Sequence, residues 1–249
     1  MKNIVSLLVA FILGAGASVA QYMCVEQGTV LIYTETADRD GKEEVADHAS
    51  TVVSASTDEA GVVSVKVEDI RILPGTNFGE IKDYSYYAYN PTTGNTLHTL
   101  ITADDYKESF VSMMVEGARN AGQFVSDSDI SELKDNIKVK GEISLDLPAE
   151  PTKDAKIPNK TMKMSIGEQS MSMNLWEGKY LGFEDVETPA GKFENCIKVS
   201  FTIKTTTPMQ SEKTYCTAWY AKGVGLVKSV DADKKGKVIS EDILKEIKK

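Results

Sequence analysis

The chain has 249 residues, a formal net charge of −9 and a content of hydrophobic residues that is ordinary for a globular protein. This acidic balance argues against a nucleic-acid partner, because nucleic-acid phosphates attract Lys and Arg. The length fits one large β-rich domain or two small ones, and beyond the first twenty residues no stretch is apolar enough to span a membrane.

The first twenty residues predict a signal peptide. Lys2 supplies the positive start, and Ile4 to Leu13 forms an apolar run that is too short to cross a bilayer. Small residues at Ser18 and Ala20 suit a signal peptidase. We therefore expect residues 1–20 to be removed, which leaves a single exported domain that is periplasmic or associated with the outer membrane.

Residues 28–101 predict four or five antiparallel strands joined by short turns. The pair Asp40-Gly41 is a hairpin signal. Val63, Val65 and Val67 alternate with polar residues, which is typical of a half-buried strand.

Residues 103–121 predict an amphipathic helix. Thr102 can cap its N-terminus, and acidic residues in the first turn suit its positive end. A stripe at helical spacing is formed by Tyr106, Phe110, Met113, Met114, Gly117 and Ala121. A shorter helix is predicted over residues 128–136.

From Lys138 the period returns to two, which predicts one strand ending at Pro148. Residues 148–160 are rich in Pro and charge, and we interpret them as a long connection inside one domain. The reason is that both sides of the connection predict the same kind of antiparallel sheet.

Residues 161–176 predict a hairpin with a methionine-rich face. With Gly167 to Ser170 as a four-residue turn, antiparallel pairing places six apolar side chains on one face. The pairs are Ile166 with Met171, Met164 with Met173, and Met162 with Leu175.

Three interpretations of this methionine wall compete. The first is core packing against the helix stripe. The second is a wall that lines a groove for an apolar ligand, because Met adapts to irregular partners. In that case Phe110, Met113 and Met114 would complete the candidate site. The third is a thioether site for Cu(I), but no His or Cys lies in the segment, so we expect no metal and no cofactor.

The strongest β stretch predicts a pairing that separates two of the three cysteines. Matching alternating faces around a turn at 208–211 pairs Ile203 with Tyr215 and Val199 with Trp219, which places Cys216 opposite Thr202. Cys196 is then about 20 Å from Cys216, too far for a disulfide. Cys24 and Cys196 are therefore the candidate disulfide, and three unpaired thiols are the alternative. Acylation of Cys24 is disfavoured because Gln21-Tyr22-Met23 are not the small residues of a lipoprotein signal.

Catalytic signatures are missing from the sequence. The two histidines, His48 and His98, lie in strand contexts, and no zinc-protease, nucleophile-elbow, paired-cysteine or phosphate-loop motif occurs. The segment 127–135 lacks the glycine and the final glutamate of a calcium loop. We therefore expect no enzymatic activity.

Three segments of the chain resemble the TapB-like family of exported bacterial proteins, which contain a domain of unknown function. They are GTVLIYTETADRDGK near the start, TPAGKFENCIKVSF from Thr188, and WYAKGVGLVKSVDADKKGKVI from Trp219. The resemblance implies a curved antiparallel sheet and a closing strand over residues 237–247, although Ile239, Ile243 and Leu244 have helical spacing. It implies no catalytic residues.

Taken together, the sequence predicts a mainly β (α+β) fold, in which a long curved antiparallel sheet or half-open barrel wraps one amphipathic helix. The hypothesis for function is a non-catalytic periplasmic or cell-envelope binding protein for an apolar, lipid-like ligand. The alternative is an envelope structural or adaptor protein that binds a protein partner through its surface or sheet edge.

Overall fold

A computed structural model of the chain describes residues 21–39, 41–72 and 80–249. The predicted signal peptide lies outside the described residues. Two helices are present, α1 (Ala103–Asn120) and α2 (Asp127–Asn136). The strands are β1 (Val30–Arg39), β2 (Lys42–Thr57), β3 (Val63–Ile72), β4 (Glu80–Asn90), β5 (Asn95–Ile101), β6 (Ile137–Lys140), β7 (Ile143–Leu147), β8 (Lys160–Ile166), β9 (Gln169–Thr188), β10 (Gly191–Thr206), β11 (Ser211–Ala221), β12 (Gly225–Ala232) and β13 (Val238–Lys248).

All of these strands form one open antiparallel sheet in the order β6-β8-β9-β10-β11-β12-β13-β1-β2-β3-β4-β5-β7. The predicted mainly β class is therefore confirmed. The closing strand implied by the family resemblance is also present, since β13 pairs with both β12 and β1. Its helical spacing of apolar residues was misleading because a long strand with two neighbours does not need a regular alternation.

The sheet curves until its two edge strands approach each other. The edges, β6 and β7, are consecutive in the chain and are separated only by Gly141 and Glu142. Gly141 has φ +90°, and a Cβ there would lie 2.2 Å from the carbonyl oxygen of Thr161, so this crossing requires glycine. The hydroxyl of Tyr180 on β9 donates to the Asp146 carbonyl on β7, at 2.8 Å, across the gap between the edges.

The single strand predicted over 138–148 is therefore wrong. It is two strands at opposite edges of the sheet, because the chain turns sharply at Gly141. The predicted connection 148–160 is partly ordered alongside β9. There the Asp154 amide donates to the Tyr180 carbonyl at 2.8 Å, and the amide of buried Ile157 donates to Gly178 at 2.9 Å.

Both predicted helices are confirmed with their caps. The Thr102 hydroxyl accepts from the Asp105 amide at 3.1 Å, and Ser126 with Asp129 forms a reciprocal capping box. The buried stripe of α1 differs from the prediction.

Val111 and Val115 are buried against the sheet, whereas Met113 and Met114 are 44% and 47% exposed. Apolar residues cover too wide an arc of this helix for all of them to face the sheet, and the stripe carrying the two valines is the one that packs.

Three apolar clusters stabilise the molecule. The main cluster fills the concave side of the sheet and includes Leu145, Leu175, Ile197 and Tyr220. A second cluster joins Val186 and Cys196 of the β9–β10 hairpin to Trp219, and it also includes Leu31 and Tyr33 of β1. A third cluster lies under the two helices.

The N-terminal segment is part of the main cluster. Tyr22 and Met23 are 0% and 1% exposed. The Tyr22 amide donates to the Thr96 hydroxyl at 3.2 Å, and the Gly223 amide donates to the Gln21 carbonyl at 2.7 Å. These contacts tie the start of the described chain to β5, next to one edge of the sheet, and to the β11–β12 turn in its middle.

The methionine hairpin has a tighter turn than predicted. Gly167 and Glu168 form a two-residue turn, and the observed pairs are Met164 with Met171 and Met162 with Met173. The predicted pairs are wrong by two residues. The shared face is correct, because an even shift of register keeps each side chain on its face. Gly167 has φ +56°, which permits the short turn.

The register predicted for β10 and β11 is wrong by one residue. Val199 pairs with Ala218 and Ile203 with Thr214, so Cys216 lies opposite Phe201. The prediction assumed that Trp219 marks the core face, but Trp219 is buried in the second cluster on the opposite face. Alternation cannot identify the core side of a strand that is buried on both faces.

Candidate functional site

The predicted methionine wall is divided between two packed clusters. Met162 and Leu175 are buried in the main cluster with Met173 beside them. Met164 is buried under the helices, where Ile166, Met171 and Phe110 pack against the same cluster. Met113 and Met114 belong to neither cluster. The structure therefore brings these side chains together as core and does not give them one common cavity.

A cavity of about 250 Å³ lies elsewhere, on the concave side of β1 to β4. Its apolar lining includes Leu31, Val52, Val67, Leu100 and Leu226. Polar and charged residues from β2, β3, β4 and β13 line the rest, among them His48, Ser50, Asp69, Arg71, Asp83, Ser85 and Asp242. We call this the concave cavity.

Carboxylates around the concave cavity are bonded to neighbouring side chains. Asp69 accepts a short hydrogen bond from the Ser50 hydroxyl and a second from Ser85 at 3.2 Å. Asp242 pairs with the His48 Nε2 at 2.8 Å and accepts from Ser229 at 3.3 Å. These bonds hold the polar side chains in fixed positions across five strands, β2, β3, β4, β12 and β13.

Helix α1 is tied to the same region through further carboxylates. The Ser109 hydroxyl donates to Asp83 on β4 at 3.0 Å, and the Tyr86 hydroxyl donates to Asp105 at 3.2 Å. Burial, followed by the hydrogen bond to Asp105, raises the pKa of Tyr86 to about 12. The start of the helix is thus fixed next to the cavity.

Two aromatic stacks line the concave cavity. The His98 ring stacks on Tyr87 with centroids 4.0 Å apart, and the His98 Nδ1 lies 3.1 Å from the Tyr220 hydroxyl. Complete burial lowers the pKa of His98 to about 3, so this imidazole is neutral at physiological pH.

The second stack joins Tyr33 and His48, whose centroids are 5.1 Å apart. The Tyr33 hydroxyl donates to the Leu226 carbonyl at 2.8 Å. Burial, reinforced by the charges of Asp69 and Asp242, raises the pKa of Tyr33 well above its ordinary value, so its hydroxyl stays protonated.

The cavity carries an excess of negative charge. Asp69, Asp83, Asp105 and Asp242 line it, against the single guanidinium of Arg71 and the imidazole of His48. Such a cavity favours a ligand with donor groups or positive charge at one end, with its apolar part against Val52, Val67 and Leu226.

Nucleophilic chemistry is not supported by the geometry of the described residues. Each of the two imidazoles bonds to an aspartate or a tyrosine, and the hydroxyls of Ser50 and Ser229 bond to carboxylates. Among the residues described, no group of three or more His, Cys, Asp and Glu side chains could hold a metal ion.

Sequence reasoning missed the concave cavity, although one signal was present. On β3, Asp69 and Arg71 continue the inward series of Val65 and Val67, so two charged residues occupy core-side positions. Charged residues in the inward phase of a strand indicate a polar site rather than a solvated face. His48, His98 and Asp242 come from distant strands, and only the topology brings them together.

The three cysteines are free in the structure. Cys24 packs beside the main cluster, whereas Cys196 is buried in the second cluster. The candidate bond between Cys24 and Cys196 is thus not formed there. Burial raises the pKa of Cys196 to about 11, which keeps this thiol protonated and unreactive.

No helix in the described ranges is both long and apolar enough to cross a membrane.

Comparison with known proteins identifies a family and a fold. A family model described as DUF3108-like matches residues 106–244. Among curated proteins, none matches the sequence significantly.

Two solved structures are similar to the chain over nearly its whole length. A candidate lipoprotein from Parabacteroides distasonis is 18% identical with a TM-score of 0.62, and the match covers 92% of this chain and 99% of that one. A candidate exported protein with a YmcC-like fold from Bacteroides fragilis is 17% identical with a TM-score of 0.60, and the match covers 92% and 100%. At these identities the likeness establishes a shared fold.

Proposed function

The chain belongs to the DUF3108-like family, and we propose that it is an exported, non-catalytic binding protein of the cell envelope, periplasmic or outer-membrane-associated. Its ligand is a small, largely apolar molecule held in the concave cavity. We also propose that the chain is related to the TapB-like proteins that three of its segments resemble. Export is supported by the signal-peptide pattern and by the candidate exported protein and candidate lipoprotein that share the fold.

The concave cavity is the observation that carries the binding function. At about 250 Å³ it exceeds the apolar cavity of about 150 Å³ that takes up benzene in an engineered protein. Leu31, Val52, Val67 and Leu226 would cover the apolar part of the ligand, and Asp69 and Asp83 would bond donor groups at its polar end.

The methionine wall contributes to this function as support. Met164 and Met171 pack under the helix whose N-terminal half is fixed beside the cavity by Asp105 and Ser109. Met162 and Leu175 lie in the main cluster behind it. The proposed ligand therefore lies between the concave sheet and the start of α1, and not against the methionines.

Native mass spectrometry of the protein purified from a periplasm tests the proposal. We expect a bound mass of a few hundred daltons that organic extraction removes. Val67→Phe should abolish this bound mass by filling the cavity, whereas Val45→Phe, at a position 60% exposed and distant from the cavity, should retain it. A bare polypeptide mass, both as purified and after incubation with small amphipathic amines, would contradict the proposal.

The adaptor function remains the second candidate, because one side of α1 is apolar and uncovered. Met113 and Met114 are about half exposed, and Phe124 in the following loop is 92% exposed. Patches of this kind mark protein contacts when they are continuous. A stoichiometric protein that co-purifies with the chain and is released by Met113→Lys would favour this function over ligand binding.

A further inference from the structure

The outer side of one half of the sheet has an unusual composition. We call this region the lysine face. It consists of the side chains that point away from the core on β6, on β8 and on parts of three further strands, which are residues 170–176 of β9, 202–206 of β10 and 211–217 of β11. The observed registers place them in rows across the strands. One row is Lys140, Lys163, Ser172, Thr206 and Ser211, and the next is Thr161, Asn174, Lys204 and Lys213.

Five lysines and no carboxylates occupy this face. The lysines are Lys138, Lys140, Lys163, Lys204 and Lys213, and the other outward positions are Ser, Thr, Asn, Trp and Tyr. Glu177 lies at the border of this face, where it accepts a hydrogen bond from Thr202 at 3.4 Å. Since the whole chain has a formal net charge of −9, the positive charge is segregated here.

None of these five lysines forms an ion pair within the part of the chain that the structure describes. Lysines on other parts of the same sheet do form them, for example Lys198 with Glu184 at 2.7 Å and Lys228 with Glu241 at 2.6 Å. The difference is therefore a property of this face and not of strand lysines in general.

Two pairs of these lysines directly oppose each other on neighbouring strands. Lys140 lies opposite Lys163, and Lys204 lies opposite Lys213. Like charges in this position destabilise a sheet. The second pair gains some stabilisation from Trp176, whose ring centroid lies 5.5 Å from the Lys204 Nζ and 4.8 Å from the Lys213 Nζ. Among the residues that the structure describes, no aromatic ring makes a cation–π contact with Lys140 or Lys163.

A shallow groove follows the lysine face along β6 and β8. It has a volume of about 490 Å³ and is lined by Lys138, Lys140, Lys163 and the hydroxyl residues Thr161, Ser165 and Ser170. Ammonium and hydroxyl groups of this kind donate hydrogen bonds to phosphate oxygens.

We propose that the lysine face binds the surface of an anionic phospholipid bilayer. Clustered lysines are attracted by the negative potential of such a surface. Exposed apolar residues accompany the charges: Met209, in the β10–β11 turn at the end of this face, is 95% exposed, and Tyr215 on the face is 37% exposed. Side chains of these types enter the interfacial region of a bilayer. The negative charge elsewhere would be repelled, so only this face turns toward the membrane.

This proposal does not depend on the ligand of the concave cavity, because the lysine face lies on the opposite side of the sheet. Sedimentation of the mature chain with vesicles tests it, using phosphatidylglycerol vesicles against phosphatidylcholine vesicles. We expect binding to the anionic vesicles alone, with a strong decrease as salt is raised from low to physiological concentration.

A triple variant, Lys138→Gln with Lys140→Gln and Lys163→Gln, should lower the partition coefficient roughly a hundredfold, at about fivefold for each lysine. The matched control removes three lysines elsewhere, Lys222→Gln with Lys234→Gln and Lys235→Gln, and should retain binding. Met209→Ser should weaken binding severalfold without changing its dependence on salt.

Three results would overturn the proposal. One is the absence of sedimentation with phosphatidylglycerol vesicles at low salt, and another is an equal loss of binding in the two triple variants. The third is binding to soluble dextran sulfate without binding to vesicles, which would assign the lysine face to an anionic polymer. Thermal unfolding of both triple variants verifies that they are folded.

Discussion

The concave cavity and the lysine face differ in whether their charged side chains have partners within the fold. In the cavity, Asp69 and Asp242 each have two hydrogen-bonding partners supplied by the fold. On the lysine face, Lys140 and Lys163 oppose each other with no acidic partner among the residues described there. A charge next to the core must be satisfied internally, because little solvent reaches it. A charge that is left unpaired on a surface at some cost indicates that another molecule supplies the partner.

The largest expected effect is a difference in the free energy of unfolding between truncating a buried methionine and truncating an exposed one. Met162→Ala should lower the free energy of unfolding by about 2–5 kcal/mol, because it removes a fully buried side chain from the main cluster. Met113→Ala should change it by less than about 0.5 kcal/mol, because that side chain is 44% exposed. Urea unfolding measures both values. Equal losses would show that Met113 is packed, which would remove the distinction between buried and exposed methionine.

The second prediction concerns the bonded carboxylates of the cavity. Asp69→Ala should destabilise the protein by about 2–3 kcal/mol, because two hydroxyl donors lose a charged acceptor. Asp69→Asn keeps an acceptor oxygen and should cost less. Denaturant unfolding of the two variants measures the difference. If Asp69→Ala left the free energy of unfolding unchanged, the two hydrogen bonds to Asp69 would contribute nothing to stability.

The third prediction uses the neutral imidazole of His98. Its folded pKa of about 3 lies below the unfolded value of about 6.5, so the unfolded state binds the proton first as the pH falls. The stabilisation is complete above pH 6.5 and decreases below it, by up to about 1.4 kcal/mol per pH unit, or about 2 kcal/mol at pH 5.

Unfolding free energies measured from pH 7.5 to pH 5 test this directly. His98→Gln is the control, since glutamine cannot take up the proton and should remove the acid sensitivity in this window. The same slope in both proteins would assign the titration to another group.

The smallest expected effect has the opposite sign. Lys140→Gln and Lys204→Gln should each stabilise the protein by about 0.2–1 kcal/mol, because each removes one member of a like-charged cross-strand pair. The gain should be larger for Lys140→Gln, because Trp176 already offsets part of the repulsion at Lys204. Thermal unfolding at low salt measures it, and raising the salt concentration should reduce the gain. A loss of stability would mean that these lysines are held by contacts within the fold.

Much of the fold could be predicted from the sequence, because its signals are local. Alternation on β3, the Thr102 cap of α1 and the turn at Gly41 depend on neighbouring residues, and each is where it was expected. The β10–β11 register was not predictable in this way. Its correct face depends on the β9–β10 hairpin folding over Trp219, which is a tertiary event.

The candidate site was harder to predict for the same reason. The methionine wall was visible because its members are close in the sequence, and they are packed into clusters. The concave cavity joins β2, β3, β5 and β13, and nothing near His98 in the sequence indicates Tyr220 or Asp242 as neighbours. The lysine face likewise appears only when the registers of five strands are known.

The buried N-terminal segment leads to an expectation about when the predicted signal peptide is removed relative to folding. Tyr22 lies two residues after the expected cleavage point, a reach of about 7 Å, yet its side chain is fully buried beside β5. A precursor whose signal peptide is still held in a membrane could not place Tyr22 and Met23 in the core. We therefore expect cleavage to act as the final folding step, so that the precursor remains loose enough for transport. Cutting instead before Cys24 would discard two core side chains along with the leader.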